Sequence, residues 1–296
     1  MGLQKVAHVQ LRVDDLDRAV DFHVNVLGLT ELSRNDGSVY LGCGFDTNND
    51  VILTPGGTGV ERVTLQVDSD EDIQRYAKRL ADLGITNDVR TDEKPGQSAG
   101  LNFTLPSGQG MELAVVSDRR PYLHTTTAGD PQGRGIAPFD IDHVTLMGPD
   151  IQKLMHFLKQ TLDFKLSDII RPGGDVWAAA WARTGEYHHD VAAIHSDNPN
   201  ESLHHLAWSF ANIEQIKQAA DLLARNNIKI EAGPGRHTVG GNIYAYFMAP
   251  GGNRYEMTTE MPRAADPSAE PVIWEDFIAA YSAWGQSPPE SFRYGS

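Results

Sequence analysis

Four stretches of this chain repeat one pattern, and that repetition limits its fold more than any local motif. A polar lead residue opens an alternating apolar run in Ala7-His8-Val9-Gln10-Leu11-Arg12-Val13, Glu61-Arg62-Val63-Thr64-Leu65-Gln66-Val67, Asp142-His143-Val144-Thr145-Leu146 and His204-His205-Leu206-Ala207-Trp208-Ser209-Phe210. Alternation with period two makes each a half-buried strand. An acidic or Asn cap and a helical run follow each one: Leu16 to Leu27, Asp72 to Leu83, Ile151 to Leu162 and Ile213 to Asn226. Short strands with Gly, Pro and Asn turns complete each unit, so the expected fold is α+β, built from four βαβββ modules.

The halves of the chain also match each other. His8, Phe22, Leu27 and Leu29 recur 135 positions later as His143, Phe157, Leu162 and Phe164, and Pro106 through Glu112 parallels Pro250 through Glu256. A duplicated domain follows, with one half over 1–118, a Gly-, Pro- and Thr-rich linker over 119–139, the other half over 140–262 and a tail over 263–296. The tail carries Pro271-Val272-Ile273-Trp274 and a helix-like stretch from Asp276 to Trp284. A length of 296 residues with 40% hydrophobic content suits two such domains.

In a repeated strand the lead position projects from the same place in every module, so His8, Arg62, His143 and His205 compare directly. Only the second half offers two imidazoles, and its last strand adds Glu256. Two histidines and a carboxylate form the facial arrangement that leaves three positions open on a six-coordinate metal. Arg62 cannot ligate a cation, so the first domain reads as a copy without the metal. Eight of the eleven histidines follow the linker's end, in the second half, where the triad sits. A surface or packing role is the simpler explanation for any one of them alone, but not for residues at matched repeat positions. Cys43 is the only cysteine, which rules out an internal disulfide and a thiolate zinc site.

These residues, together with Leu203-His204-His205, Gly233-Pro234-Gly235-Arg236-His237, Tyr244-Ala245-Tyr246 and Pro250 through Glu256, make the chain resemble the two-domain type I extradiol ring-cleaving dioxygenases (catechol 2,3-dioxygenase-like) of the vicinal oxygen chelate superfamily. The resemblance covers nearly the whole chain and implies two tandem glyoxalase/bleomycin-resistance-like domains, each a curved half-barrel sheet. It implies Fe(II), with Mn(II) as an alternative, held by His143, His205 and Glu256, and O2 as co-substrate. It places His189 beside the O2 position as acid-base residue, His237 and Tyr246 on the substrate oxygens, and Trp181 along the ring pocket. His188 and His204, each one residue out of phase, are expected to point away from the site. Tyr244 shares a strand face with Tyr246, and spacing favours Tyr246.

The implied reaction is cleavage of a catechol beside its diol. A redox-capable metal that binds both partners can pass electron density between singlet catechol and triplet O2, which Zn(II) cannot do. Relatives that act on carboxylated catechols have an Arg where this chain has Ala232, so an uncharged catechol is expected. The rival readings are a Lewis-acid isomerase or lyase on the same module and a non-catalytic aromatic-binding protein. A net charge of -15 and the lack of any basic cluster argue against nucleic acid. No apolar run approaches a membrane span, so a cytoplasmic location is expected. The resemblance also implies a homotetramer or homo-octamer.

Overall fold

Each repeated unit turns from strand to helix at one polar side chain. In the computed structural model, which describes residues 2–35, 37–91, 94–119 and 135–296, Asp15, Ser69, Asp150 and Asn212 each accept a hydrogen bond from the backbone N–H three residues on. This capping satisfies an otherwise orphaned donor and fixes the helix start. The helices are α1 (Leu16–Phe22), α2 (Asp70–Asp82), α3 (Ile151–Thr161) and α4 (Ile213–Arg225). The first is shorter than its sequence pattern because the run widens into a π-turn, His23–Leu27, that ends on Gly28 at φ 88°.

The first domain contains β1 (Leu3–Val13), β2 (Thr30–Asn35), β3 (Ser38–Gly42), β4 (Val51–Pro55), β5 (Val60–Val67), β6 (Asn87–Thr91), β7 (Gln97–Thr104) and β8 (Gly110–Val116). The second contains β9 (Asp140–Gly148), β10 (Lys165–Ile170), β11 (Ala179–Arg183), β12 (Val191–His195), β13 (Leu203–Ser209), β14 (Ile230–Arg236), β15 (Ile243–Met248) and β16 (Arg254–Thr259). Within each module the first strand lies parallel to the last, as β1 to β4 and β13 to β16 show. The two modules of a domain join antiparallel through their first strands, β1 with β5 and β9 with β13. The sheets therefore run β2-β3-β4-β1-β5-β8-β7-β6 and β14-β15-β16-β13-β9-β12-β11-β10, the curled half-barrels expected of four βαβββ modules.

One apolar cluster spans both domains, from Val9, Leu11 and Val63 to Val144, Leu206 and Tyr255. Polar contacts cross the junction as well: Tyr76 donates its hydroxyl to Asp163 at 3.1 Å, and Gln109 Nε2 donates to the Met147 carbonyl at 2.7 Å. Of the expected linker, residues 120–134 lie outside the described residues; beyond them Ile136 and Ala137 donate their N–H groups to Val26 and Leu27.

The tail belongs to the second domain. Its strand β17 (Val272–Trp274) extends that sheet beside β10, and α5 (Phe277–Tyr281) occupies part of the stretch expected to be helical. The chain then returns so that Ser296 accepts the N–H groups of Ser202 and Leu203, both at 2.8 Å.

Candidate metal centre

The site is built where β13 lies between β9 and β16. Ala207 pairs with His143 on one side and Glu256 on the other, so these three residues form one row across the sheet. His205 precedes Ala207 by two residues and projects from the same face. The small Ala207 side chain leaves the space between its flanking neighbours open.

His143 Nε2 and His205 Nε2 are 3.1 Å apart, and Glu256 Oε2 lies 3.2 Å from the first and 3.1 Å from the second. Cis ligands on a six-coordinate cation with bonds of roughly 2.1 Å stand about 3 Å apart, so the triangle matches one octahedral face. Glu256 Oε2 is buried and has no hydrogen-bond partner, while its Oε1 accepts from Asn242 Nδ2 at 3.2 Å. The other ring nitrogens are committed: His143 Nδ1 to Asp142 Oδ1 at 2.7 Å, and His205 Nδ1 to His204 Nδ1 at 2.6 Å. Both Nε2 atoms are thereby aimed at the same point, as partners behind metal-binding imidazoles do. An orphaned buried carboxylate oxygen facing two imidazole nitrogens fits a divalent cation.

The electrostatics agree. Burial opposes charge on Glu256, yet the two imidazoles hold its carboxyl well below the usual range. Burial would likewise lower His143, but the Glu256 charge and the Asp142 bond overcome it and raise His143 to about 9. His205 lacks that second carboxylate, and burial takes it down to about 4. Without a cation, the carboxylate is balanced by a proton on one imidazole.

The first domain shows the same positions put to another use. Thr64 replaces Ala207, pairing with His8 and with Glu112, and Arg62 stands in the place of His205. Glu112 accepts from Thr64 Oγ1 at 2.9 Å, from Gln97 Nε2 at 2.7 Å and from the Lys94 ammonium. Arg62 turns to Asn102 Oδ1 at 2.7 Å. Protein donors, one of them cationic, occupy the carboxylate whose counterpart in the second domain is left open.

His189 packs its ring against His143, centroids 4.1 Å apart. His237 Nε2 meets the Tyr246 hydroxyl at 2.9 Å, its Nδ1 lies 2.8 Å from the Tyr281 carbonyl, and Tyr244 stacks on its ring at 4.0 Å. Tyr246 lines the cavity with Trp181, whereas the Tyr244 hydroxyl donates to Gln286. Trp177 packs against His156 instead. His204 directs its Nε2 to the Phe292 carbonyl at 3.1 Å.

His188 stands behind His189, outside the cavity lining: its Nδ1 lies 2.9 Å from His189 Nδ1, and its Nε2 meets Asp168, whereas His204, expected to point away, is among the residues that line the cavity. Alternation of side chains needs a regular strand, and the chain bends at His188 before β12 begins at Val191.

A profile described as the Glyoxalase/Bleomycin resistance protein/Dioxygenase superfamily matches residues 5–113 and 140–257. The chain belongs to this superfamily. A manganese-dependent 2,3-dihydroxybiphenyl 1,2-dioxygenase of Geobacillus genomosp. 3 is 28% identical across 93% of this chain and 90% of that protein. An iron-dependent extradiol dioxygenase of Rhodococcus jostii (strain RHA1) is 25% identical across 96% and 97%. The crystal structure of the 2,3-dioxygenase LapB from Pseudomonas sp. KL28 superposes with a TM-score of 0.83 at 26% identity, covering 93% of this chain and 98% of that one.

The cavity over the triad is walled mostly by the second sheet, with the chain's own tail along one side. Its volume is about 70 Å³, and Phe277, Ala280, Tyr281 and Phe292 form one side. Sequence reasoning missed these residues, as it missed Asp142, Asn242 and Asp168. Asp142 carried a signal, being a carboxylate directly before His143.

Proposed function

We propose that residues 140–262 hold one Fe(II) or Mn(II) through His143, His205 and Glu256 and catalyse extradiol cleavage of a catechol with O2, beneath a tail formed by residues 263–296. The observation that carries this reading is the unpartnered Glu256 Oε2 closing a 3.1–3.2 Å triangle with two imidazole nitrogens. Bound there, the cation would supply a redox centre shared by the diol and O2.

The chain's own residues do the rest. Tyr246 and His237, hydrogen-bonded to each other, face the triad and are placed to take a proton from one substrate hydroxyl and hold the resulting oxygen. His189, packed on His143 at another side of the cavity, supplies a second proton-transfer group. Trp181, Tyr281 and Phe292 enclose the ring and exclude water. This combination of proton-handling groups favours the dioxygenase over the Lewis-acid and binding-protein rivals.

The substrate end of the cavity is apolar, lined by Ile170, Ala179, Ile194, Val239, Phe277 and Ala280. No Lys, Arg or Asp is among its described lining residues. With Ala232 packed beside Tyr244 and Tyr246, this supports an uncharged catechol bearing an alkyl or aryl substituent. The family resemblance supports a homotetramer or homo-octamer, which light scattering tests. Among the described residues no helix is long and apolar enough to cross a membrane.

The test is O2 uptake by anaerobically Fe(II)- or Mn(II)-loaded protein with a panel of catechols. Yellow ring-opened product from alkyl- or aryl-catechols, with weaker turnover of carboxylated ones, is expected. No uptake with any catechol would overturn the reading.

A further inference from the structure

Behind His189 stands a line of side chains that the reaction scheme above does not use. Trp274 Nε1, on the tail strand β17, donates to Asp168 Oδ1 at 2.7 Å. The other Asp168 oxygen meets His188 Nε2, and His188 Nδ1 lies 2.9 Å from His189 Nδ1. Asp168 and His189 are buried, and the His188 side chain is 14% exposed. The pairing of β10 with β17, which sets Asp168 opposite Val272 and Ile170 opposite Trp274, brings Trp274 to Asp168. Gly240 closes on His188 from the other side: a Cβ there would stand 3.1 Å from His188 Nδ1.

From this geometry we infer that Asp168 and His188 are positioning residues that set the tautomer of His189, with Trp274 tying the arrangement to the tail. The inference rests on the dioxygenase reading for its effect on turnover, but not for its structural content. A carboxylate can only accept, so His188 must donate Nε2–H to Asp168. With His188 carrying a single proton, and that proton on Nε2, its Nδ1 offers a lone pair to which His189 donates its Nδ1–H. His189 Nε2 is left unprotonated for the cavity, the form required of a proton acceptor there. One hydrogen-bond direction, fixed at Asp168, thus propagates through two rings. A carboxylate holding a catalytic histidine in one tautomer is a known division of labour, and its amide variant loses activity by about 10⁴-fold with geometry intact.

The decisive substitution is Asp168→Asn. Its amide oxygen can still accept from Trp274, but its NH2 now faces His188 Nε2, which must become the acceptor. The proton moves to His188 Nδ1, and His189 is forced to protonate Nε2 instead. In zinc-loaded protein labelled with 15N-histidine, the ring signals of His189 are expected to show Nδ1–H in the wild type and Nε2–H in D168N. In the iron- or manganese-loaded enzyme, kcat should fall about 10²-fold or more with metal content retained and KM little changed. Trp274→Phe, which removes only the outer bond, should give a smaller loss of kcat in the same direction. An unaltered His189 tautomer in D168N would overturn the inference, as would undiminished kcat in D168N when His189→Asn is inactive. If the wild type cleaved no catechol, the dioxygenase reading would fall, and the nitrogen spectra would still decide what Asp168 does.

Discussion

His143 Nε2 faces His205 Nε2 across 3.1 Å, each ring held from behind by a bond at its other nitrogen. Two buried imidazole nitrogens crowded to that distance around one carboxylate oxygen form a poor arrangement for a closed protein core and a good one for a cation. The first domain shows the closed alternative, with Lys94, Gln97 and Thr64 spending the bonds that Glu256 leaves open.

On the proposed reading, His189 acts on chemistry and not on metal retention. His189→Asn should keep its metal and bind catechol, while turnover falls by about 10² to 10⁴ or O2 is diverted to quinone. Metal analysis and product spectra check this. Loss of metal in the variant would place His189 in the coordination set instead.

Lys94 is a structural cation. Its side chain is 10% exposed and that of Glu112 2%, so Lys94→Met leaves a buried carboxylate short of a charged partner and should cost about 3 kcal/mol of stability. Denaturant unfolding measures it. Metal bound at the second domain should be unchanged, as it should be in His8→Ala.

Asp50 should make stability depend on pH. Burial, then the Asp140 charge, raise its carboxyl to about 7 against the opposing pull of Lys5. The folded chain binds this proton more tightly than the unfolded chain, whose value is near 3.8. The stability it contributes is therefore complete below that value and is lost as the pH rises to about 7. Asp50→Asn keeps an acceptor for the Cys43 N–H and removes the loss. Its Tm advantage over the wild type should grow between about pH 4.5 and pH 8. An advantage equal at both would contradict the assignment.

The modules and the ligand set were legible because strand alternation and duplication are periodic signals, so His143 and His205 could be placed by register alone. Asp168 was not, since it meets His188 only across a turn of the chain twenty residues on, and Trp274 only through the pairing of β10 with β17. The contact of His188 with His189 was not foreseen, because alternation was extended into a bend. Phe277, Tyr281 and Phe292 lie outside the repeat, and no internal copy gives their register. The substrate pocket was thus half visible: its sheet side follows from the pattern, and its tail side from the fold.

The most direct test is metal content in protein purified anaerobically. About one equivalent of iron or manganese is expected in the wild type and in His8→Ala, with most of it gone in His143→Ala, His205→Ala and Glu256→Ala, because each removes one of three protein ligands. Metal retained at the wild-type level in any of those three variants would contradict the account.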